Sequence, residues 1–151
     1  MRPAYHMVAS GAFGIPIYFF SGSLIFTGCF AATGVAVDLD HFVDHCFFSN
    51  RPLRFKKFFQ KGLPLTYSRL VFALHSYEFL FICILIALRI NSPSIWGVTV
   101  GWLFHLLLDE ISNRLPSEPH KLNLFFYFFT FRLLRGFRVN KISWLRKPGR
   151  K

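Results

Sequence analysis

Asp38-Leu39-Asp40-His41-Phe42-Val43-Asp44-His45 gathers three carboxylates and two imidazoles within eight residues. Two polar pairs follow in later apolar stretches, His75 with Glu78 and His105 with Asp109, and His6 precedes them all. This set holds five of the chain's six His and five of its seven acidic residues, so little ionisable chemistry other than basic charge lies outside it. Neutral imidazole and carboxylate are ligands of Zn²⁺, Mn²⁺ and Fe²⁺, and the supply exceeds what one ion needs. The chemistry indicated is a divalent metal site of one or two ions, Zn²⁺ first among them, with Mn²⁺ or Fe²⁺ as alternatives.

Spacing supports this. At 100° per residue, Asp38, His41 and His45 fall within about 60° of one another on a helix, and Asp40 with Asp44 form a separate stripe about 40° wide. His75/Glu78 (i,i+3) and His105/Asp109 (i,i+4) each share a helix face. The candidate metal ligands are His6, Asp38, His41, His45, His75, His105 and Asp109. Asp40, Asp44 and Glu78 are candidate general bases, because a carboxylate beside an activated water can take its proton. Carboxylates left over from ligation can hold imidazole N–H groups. There is no GxSxG motif, and Ser76, though adjacent to His75 in sequence, would lie on a different helix face.

The elements that must carry these residues are apolar. The 151-residue chain is one domain by length, is 53% hydrophobic and contains 21 Phe, a membrane composition. Residues 4–37 carry no charge apart from His6, and about 20 residues suffice to cross a bilayer core. This stretch reads as a helical hairpin, about 4–19 and 23–37, turning near Ser21-Gly22-Ser23, in preference to one tilted span from about Ile15. Leu70–Leu88 and Ser94–Ile111 read as two later spans joined by a tight Asn91-Ser92-Pro93 turn. Residues 46–69 interleave Phe with six basic residues, as suits an element in the head-group layer. Asn113–His120 reads as a loop in which His120 is solvated, and Leu122–Leu134 as a short interfacial or half-inserted helix. The expected fold is all-α: a small multi-helix integral membrane bundle with a short N-terminal hairpin, two later spans and interfacial basic-aromatic helices. Residues 1–134 form the membrane domain and 135–151 a basic tail, lipid-bound or disordered.

Net charge is +11. With the basic residues set beside apolar helices, the partners indicated are anionic lipid head groups, with Arg51, Arg54, Lys56 and Lys57 as head-group ligands, and not nucleic acid. Cys29, Cys46 and Cys83 lack CxxC spacing and read as small buried hydrophobes. Six basic residues in 46–69 and eight from Arg132 onward put both regions on the cytoplasmic side and the Asn91 turn outside. Asp38–His45, His75/Glu78 and His105/Asp109 then fall in one leaflet, and the hairpin brings His6 to them.

In order and spacing, Tyr5-His6-Met7, Asp38-Leu39-Asp40-His41, Leu74-His75-Ser76 and Gly101-Trp102-Leu103-Phe104-His105-Leu106-Leu107-Leu108-Asp109 resemble the membrane-bound metal-dependent hydrolases, also described as LexA-binding, inner membrane-associated putative hydrolases. The likeness spans roughly residues 5–113. The family's His-Arg ahead of its His-Ser is missing, since Leu70 and Val71 stand near that place; His45 and Glu78 are the candidate replacements. The resemblance implies an inner-membrane hydrolase, with phosphoesters as substrates by similarity to zinc-dependent phospholipases C. Two other classes use the same residues: a non-enzymatic membrane protein with a structural metal or polar interhelical core, and a proton or cation path. A di-iron oxygenase would call for more imidazoles than this chain has.

Overall fold

The computed structural model describes residues 3–48, 69–114, 120–122, 124–138 and 143–145. Its main body is helical. Helices α1 (Pro3–Ser21) and α2 (Leu24–Ala36) form the expected hairpin. Gly22 makes the turn at φ +62°, a backbone conformation that side chains rarely adopt, and its N–H donates to the Tyr18 carbonyl at 2.8 Å. Ser23 caps α2, its Oγ accepting from the Phe26 N–H at 3.2 Å.

A tightened turn at Val37-Asp38 leads into α3 (Leu39–Phe48). There the Asp38, Asp40 and His41 N–H groups donate three residues back, to Val35, Val37 and Asp38. The Asp38 amide thus passes over the Gly34 carbonyl and leaves it available. Leu24–Phe48 is a stretch long and apolar enough to cross a membrane, the one such stretch among the described residues.

The expected span Leu70–Leu88 is corrected. Residues 70–76 are not helical, and α4 runs Tyr77–Ile90, 14 residues; at 1.5 Å per residue that is about 21 Å, short of a bilayer core of about 30 Å. The reason lies in α3. Asp44 Oδ2 accepts from the Val71 and Phe72 amides at 2.6 and 3.1 Å, and Asp40 Oδ2 from the His75 amide at 3.2 Å. These carboxylates tie the backbone of residues 71, 72 and 75 to α3, and Phe72 adopts the left-handed region at φ +41°.

Asn91 ends α4 in the left-handed conformation, with its N–H donating to the Ala87 carbonyl, and Pro93 opens α5 (Pro93–Arg114), three residues longer than the expected Ile111 end. The stretch expected as one helix over Leu122–Leu134 is broken into a 3₁₀ turn, Leu124–Tyr127, and α6, Phe129–Leu134. Glu78 causes the break: its carboxylate accepts from the Phe129 and Thr130 amides at 2.8 and 3.0 Å and fixes the start of α6 from outside.

The all-α class holds, with a short two-stranded ladder beside the helices. Strand β1 (His120–Leu122) pairs antiparallel with β2 (Ser143–Leu145), Lys121 opposite Trp144. The Leu70 N–H also donates to the Phe137 carbonyl at 2.9 Å, so residues beyond 134 pair with the body of the fold. The basic-aromatic stretch, with Arg51, Arg54, Lys56 and Lys57, lies outside the described residues.

Packing differs across the molecule. Between α2 and α5 the contact is made through glycine: a methyl group on Gly97 or Gly101 would collide with the Phe26 or Phe30 carbonyl, and one on Gly34 with Ser10. On the other side, Leu70, Phe72, Leu80, Leu106, Phe126 and Tyr127 form an apolar core under the 70–76 segment. Cys29 and Cys83 are half-buried, but Cys46 is exposed on α3 instead of buried.

Candidate metal centre

Six side chains from five places in the fold meet at one point. His6 comes from α1, Asp38 from the turn between α2 and α3, His41 from α3, His75 from the non-helical segment before α4, and His105 and Asp109 from successive turns of α5. They form two groups able to hold a metal ion, His6–His105–Asp109 and Asp38–His41–His75, the ligand atoms within each lying within 4.8 Å of one another.

The groups adjoin. His6 Nε2 lies 3.1 Å from Asp109 Oδ1, and His75 Nε2 lies 3.1 Å from Asp109 Oδ2. His75 Nε2 and His105 Nε2 are 3.2 Å apart, and Asp38 Oδ1 is 3.5 Å from His41 Nε2 and 3.7 Å from His105 Nε2. Donor atoms around one tetrahedral ion, each at about 2.0–2.1 Å, stand about 3.3–3.4 Å apart. The separations here scatter around that value.

Tautomers are set by what lies behind each ring. Asp40 Oδ2 is 3.0 Å from His75 Nδ1, and the released Gly34 carbonyl is 2.8 Å from His105 Nδ1. Each backing oxygen accepts the Nδ1 proton, which leaves the Nε2 lone pair facing the centre. His6 and His105 stack at 3.9 Å, and His41 meets His75 edge-on at 4.6 Å.

Burial sharpens the case. His6 and His105 are fully buried and Asp38 is 3% exposed, yet neither Asp38 oxygen has a hydrogen-bond partner among the described residues. An uncompensated buried carboxylate is destabilising by several kcal/mol. A cation among the imidazole Nε2 atoms would remove that penalty, so the donor set fits a metal ion.

Of the seven ligands expected from sequence, the structure brings six together. His45 is buried on α3 but belongs to neither group. The three expected general bases are placed elsewhere in the architecture. Asp40 orients His75, Asp44 holds the Val71 and Phe72 amides, and Glu78 accepts from Ser76 Oγ and Thr130 Oγ1 as well as from α6 amides. Four donors, two of them α6 amides, favour the charged form of Glu78. His45 and Glu78, the two candidate replacements for the missing ligand, both lie outside the two groups, and Glu78 is spent on the start of α6.

Sequence reasoning missed Arg132, counted there only as the start of a basic tail. It is fully buried, and its Nη2 donates to the His75 carbonyl at 3.0 Å. The usable signal was its isolation as the one charged residue in Leu122–Leu134. Trp102 also braces the segment, its Nε1 donating to the Leu74 carbonyl at 2.6 Å.

No family model, curated protein or solved structure matches the chain. Its function is argued from this site.

Proposed function

We propose that this is an integral membrane protein that binds one or two divalent cations, Zn²⁺ foremost, and hydrolyses a lipid-linked or phosphoester substrate at the cytoplasmic face. The observation that carries the reading is the pair of adjoining two-His, one-Asp groups, buried except for half-buried His41, with the Asp38 carboxylate lacking any hydrogen-bond donor among the described residues. The resemblance to membrane-bound metal-dependent hydrolases agrees with it.

The membrane part rests on an inverted distribution of polarity. Phe20, Phe19, Leu24, Ile25, Ile15 and Val8 of the hairpin are 64–93% exposed, while the ionisable residues are inside. An exterior this apolar matches lipid, and ionisable groups within an apolar bundle mark a working site.

A divalent cation would supply an acidified water and polarisation of the scissile oxygen. The chain's own residues do the positioning. Asp40 and the Gly34 carbonyl hold His75 and His105 with their lone pairs inward. Asp38 Oδ1 faces the imidazoles, which leaves Oδ2 to accept the proton of the attacking water. His41, its side chain 23% exposed, is the most open member of the site and marks the side where substrate arrives.

The test is metal content by plasma mass spectrometry on detergent-purified wild type and on His41→Ala, His75→Ala and His105→Ala, followed by a screen of phospholipid and phosphoester substrates. Zinc or manganese near one or two per chain, reduced in all three variants, supports the reading. No metal in the wild type after Zn²⁺ and Mn²⁺ are added back overturns it. The direct His6–Asp109, Asp109–His75 and His75–Asp40 contacts would then stand as interhelical polar glue, the alternative that they favour.

A further inference from the structure

Among the described residues, Arg132 is a guanidinium without an ion-pair partner. It is fully buried and donates to the His75 carbonyl, while its Nε and Nη1 have no partner among those residues. Its Cζ lies 5.3 Å from the centroid of the Phe126 ring and 5.8 Å from that of Phe129, within cation–π reach of both. Burial pulls its pKa down to about 10, which leaves it charged at neutral pH. A buried cation with open donors is as costly as a buried carboxylate without them.

The carboxylates nearest it are engaged elsewhere, apart from Asp40 Oδ1, which has no hydrogen-bond partner among the described residues. Asp44 holds the Val71 and Phe72 amides, Glu78 holds Ser76, Phe129 and Thr130, and Asp40 holds His75. None forms an ion pair with Arg132 among the described residues. The group is also tied to the metal centre through a single residue. His75 accepts from Arg132 at its carbonyl and presents Nε2 to Asp109 and His105. Phe72, edge-on to the His41 ring at 4.1 Å and to Phe126 at 6.3 Å, continues the same wall.

We infer that Arg132 is the receptor for a tetrahedral oxyanion, the phosphoryl group of the substrate, which it binds through its unpaired N–H groups beside the metal centre. A guanidinium stacked on aromatic faces keeps its N–H edge in plane, the arrangement that matches two phosphate oxygens at once. The inference deepens the proposed hydrolase by naming the substrate's anionic group and the residue that reads it. Inorganic phosphate and a phospholipid head group share that chemistry.

The test is titration calorimetry on full-length protein in detergent, with and without added Zn²⁺. The probes are inorganic phosphate and a short-chain phosphatidic acid, applied to wild type, Arg132→Gln and Arg132→Lys, with zinc content measured in each. The expected result is that Arg132→Gln weakens both probes at least tenfold while zinc content stays at the wild-type value, with Arg132→Lys intermediate. Tighter binding of one probe to the wild type assigns the source of the phosphate. Unchanged affinity in Arg132→Gln overturns the inference. So does loss of zinc together with phosphate, because Arg132 would then act only by bracing His75.

If neither variant folds, the wild type decides. Phosphate, but not chloride at equal ionic strength, must raise its melting temperature; no such rise overturns the inference. Zinc content of the wild type separately tests the metal reading: a protein that binds phosphate through Arg132 without metal keeps the receptor and loses the hydrolase.

Discussion

His6, His105 and Asp109 ride on long helices, and α5 meets α2 through glycine, whereas Asp38 and His75 stand outside helices and His41 in the first turn of α3. The first group is placed by backbone proximity. Phe30 and Gly101 approach so closely that no side chain fits, and the Gly34 carbonyl reaches His105 directly. The second is placed by side chains acting on backbone, with Asp44 and Asp40 gathering the amides of residues 71, 72 and 75. The difference concerns tolerance. A helix contact without spare volume fails as a unit, while a set of hydrogen bonds can be weakened one at a time.

Substitutions can break that contrast at graded depth. Gly101→Val forces a branched side chain onto the Phe30 carbonyl and should remove about 3 kcal/mol or more of stability. Both groups would be lost together, read as a collapsed thermal transition and no bound metal. His75→Ala comes next. Its Nε2 lies 3.1 Å from Asp109 and 3.9 Å from Asp38, so it serves both groups, and metal content should fall to near zero. His41→Ala should leave one ion of two. Equal losses in the two variants would show that the groups form a single site.

Asp44→Ala strands the Val71 and Phe72 amides, at about 1–3 kcal/mol for a buried donor left unpaired. A denaturation midpoint should fall, and metal affinity should drop at the Asp38–His41–His75 group while the other is spared. The mildest is Asp40→Asn, which keeps the shape but loosens the hold on the His75 tautomer. Metal affinity should weaken about 10- to 100-fold in competitive chelation, with stoichiometry at saturation unchanged.

The ligand set was legible because ionisable residues are so scarce in the apolar stretches that their positions alone expose it. The hairpin was legible for a similar reason: Ser21-Gly22-Ser23 interrupts an uncharged run with the one residue type suited to φ +62°. Asp38 was separated as a candidate ligand from Asp40 and Asp44, but that Asp40 and Asp44 hold backbone amides could not be read. Asp38, Asp40 and Asp44 are alike in sequence, and their roles depend on the amides that residues 70–76 bring to them. That segment looked helical because its apolar pattern is continuous, and its departure from a helix is the work of acids some thirty residues earlier. Arg132 was hidden by its neighbours in sequence, since a count of basic residues does not separate a buried one from those around it.

The contact between His6 and Asp109 spans 103 residues. During synthesis the hairpin and its acids are made well before the helix that completes their surroundings. Until residues 105 and 109 have been made, Asp38 and His6 lack the partners they meet in the fold, and the early helices carry groups that apolar surroundings disfavour. The order of synthesis therefore fixes the order of completion: the cluster is finished by α5, the last of its elements to be made.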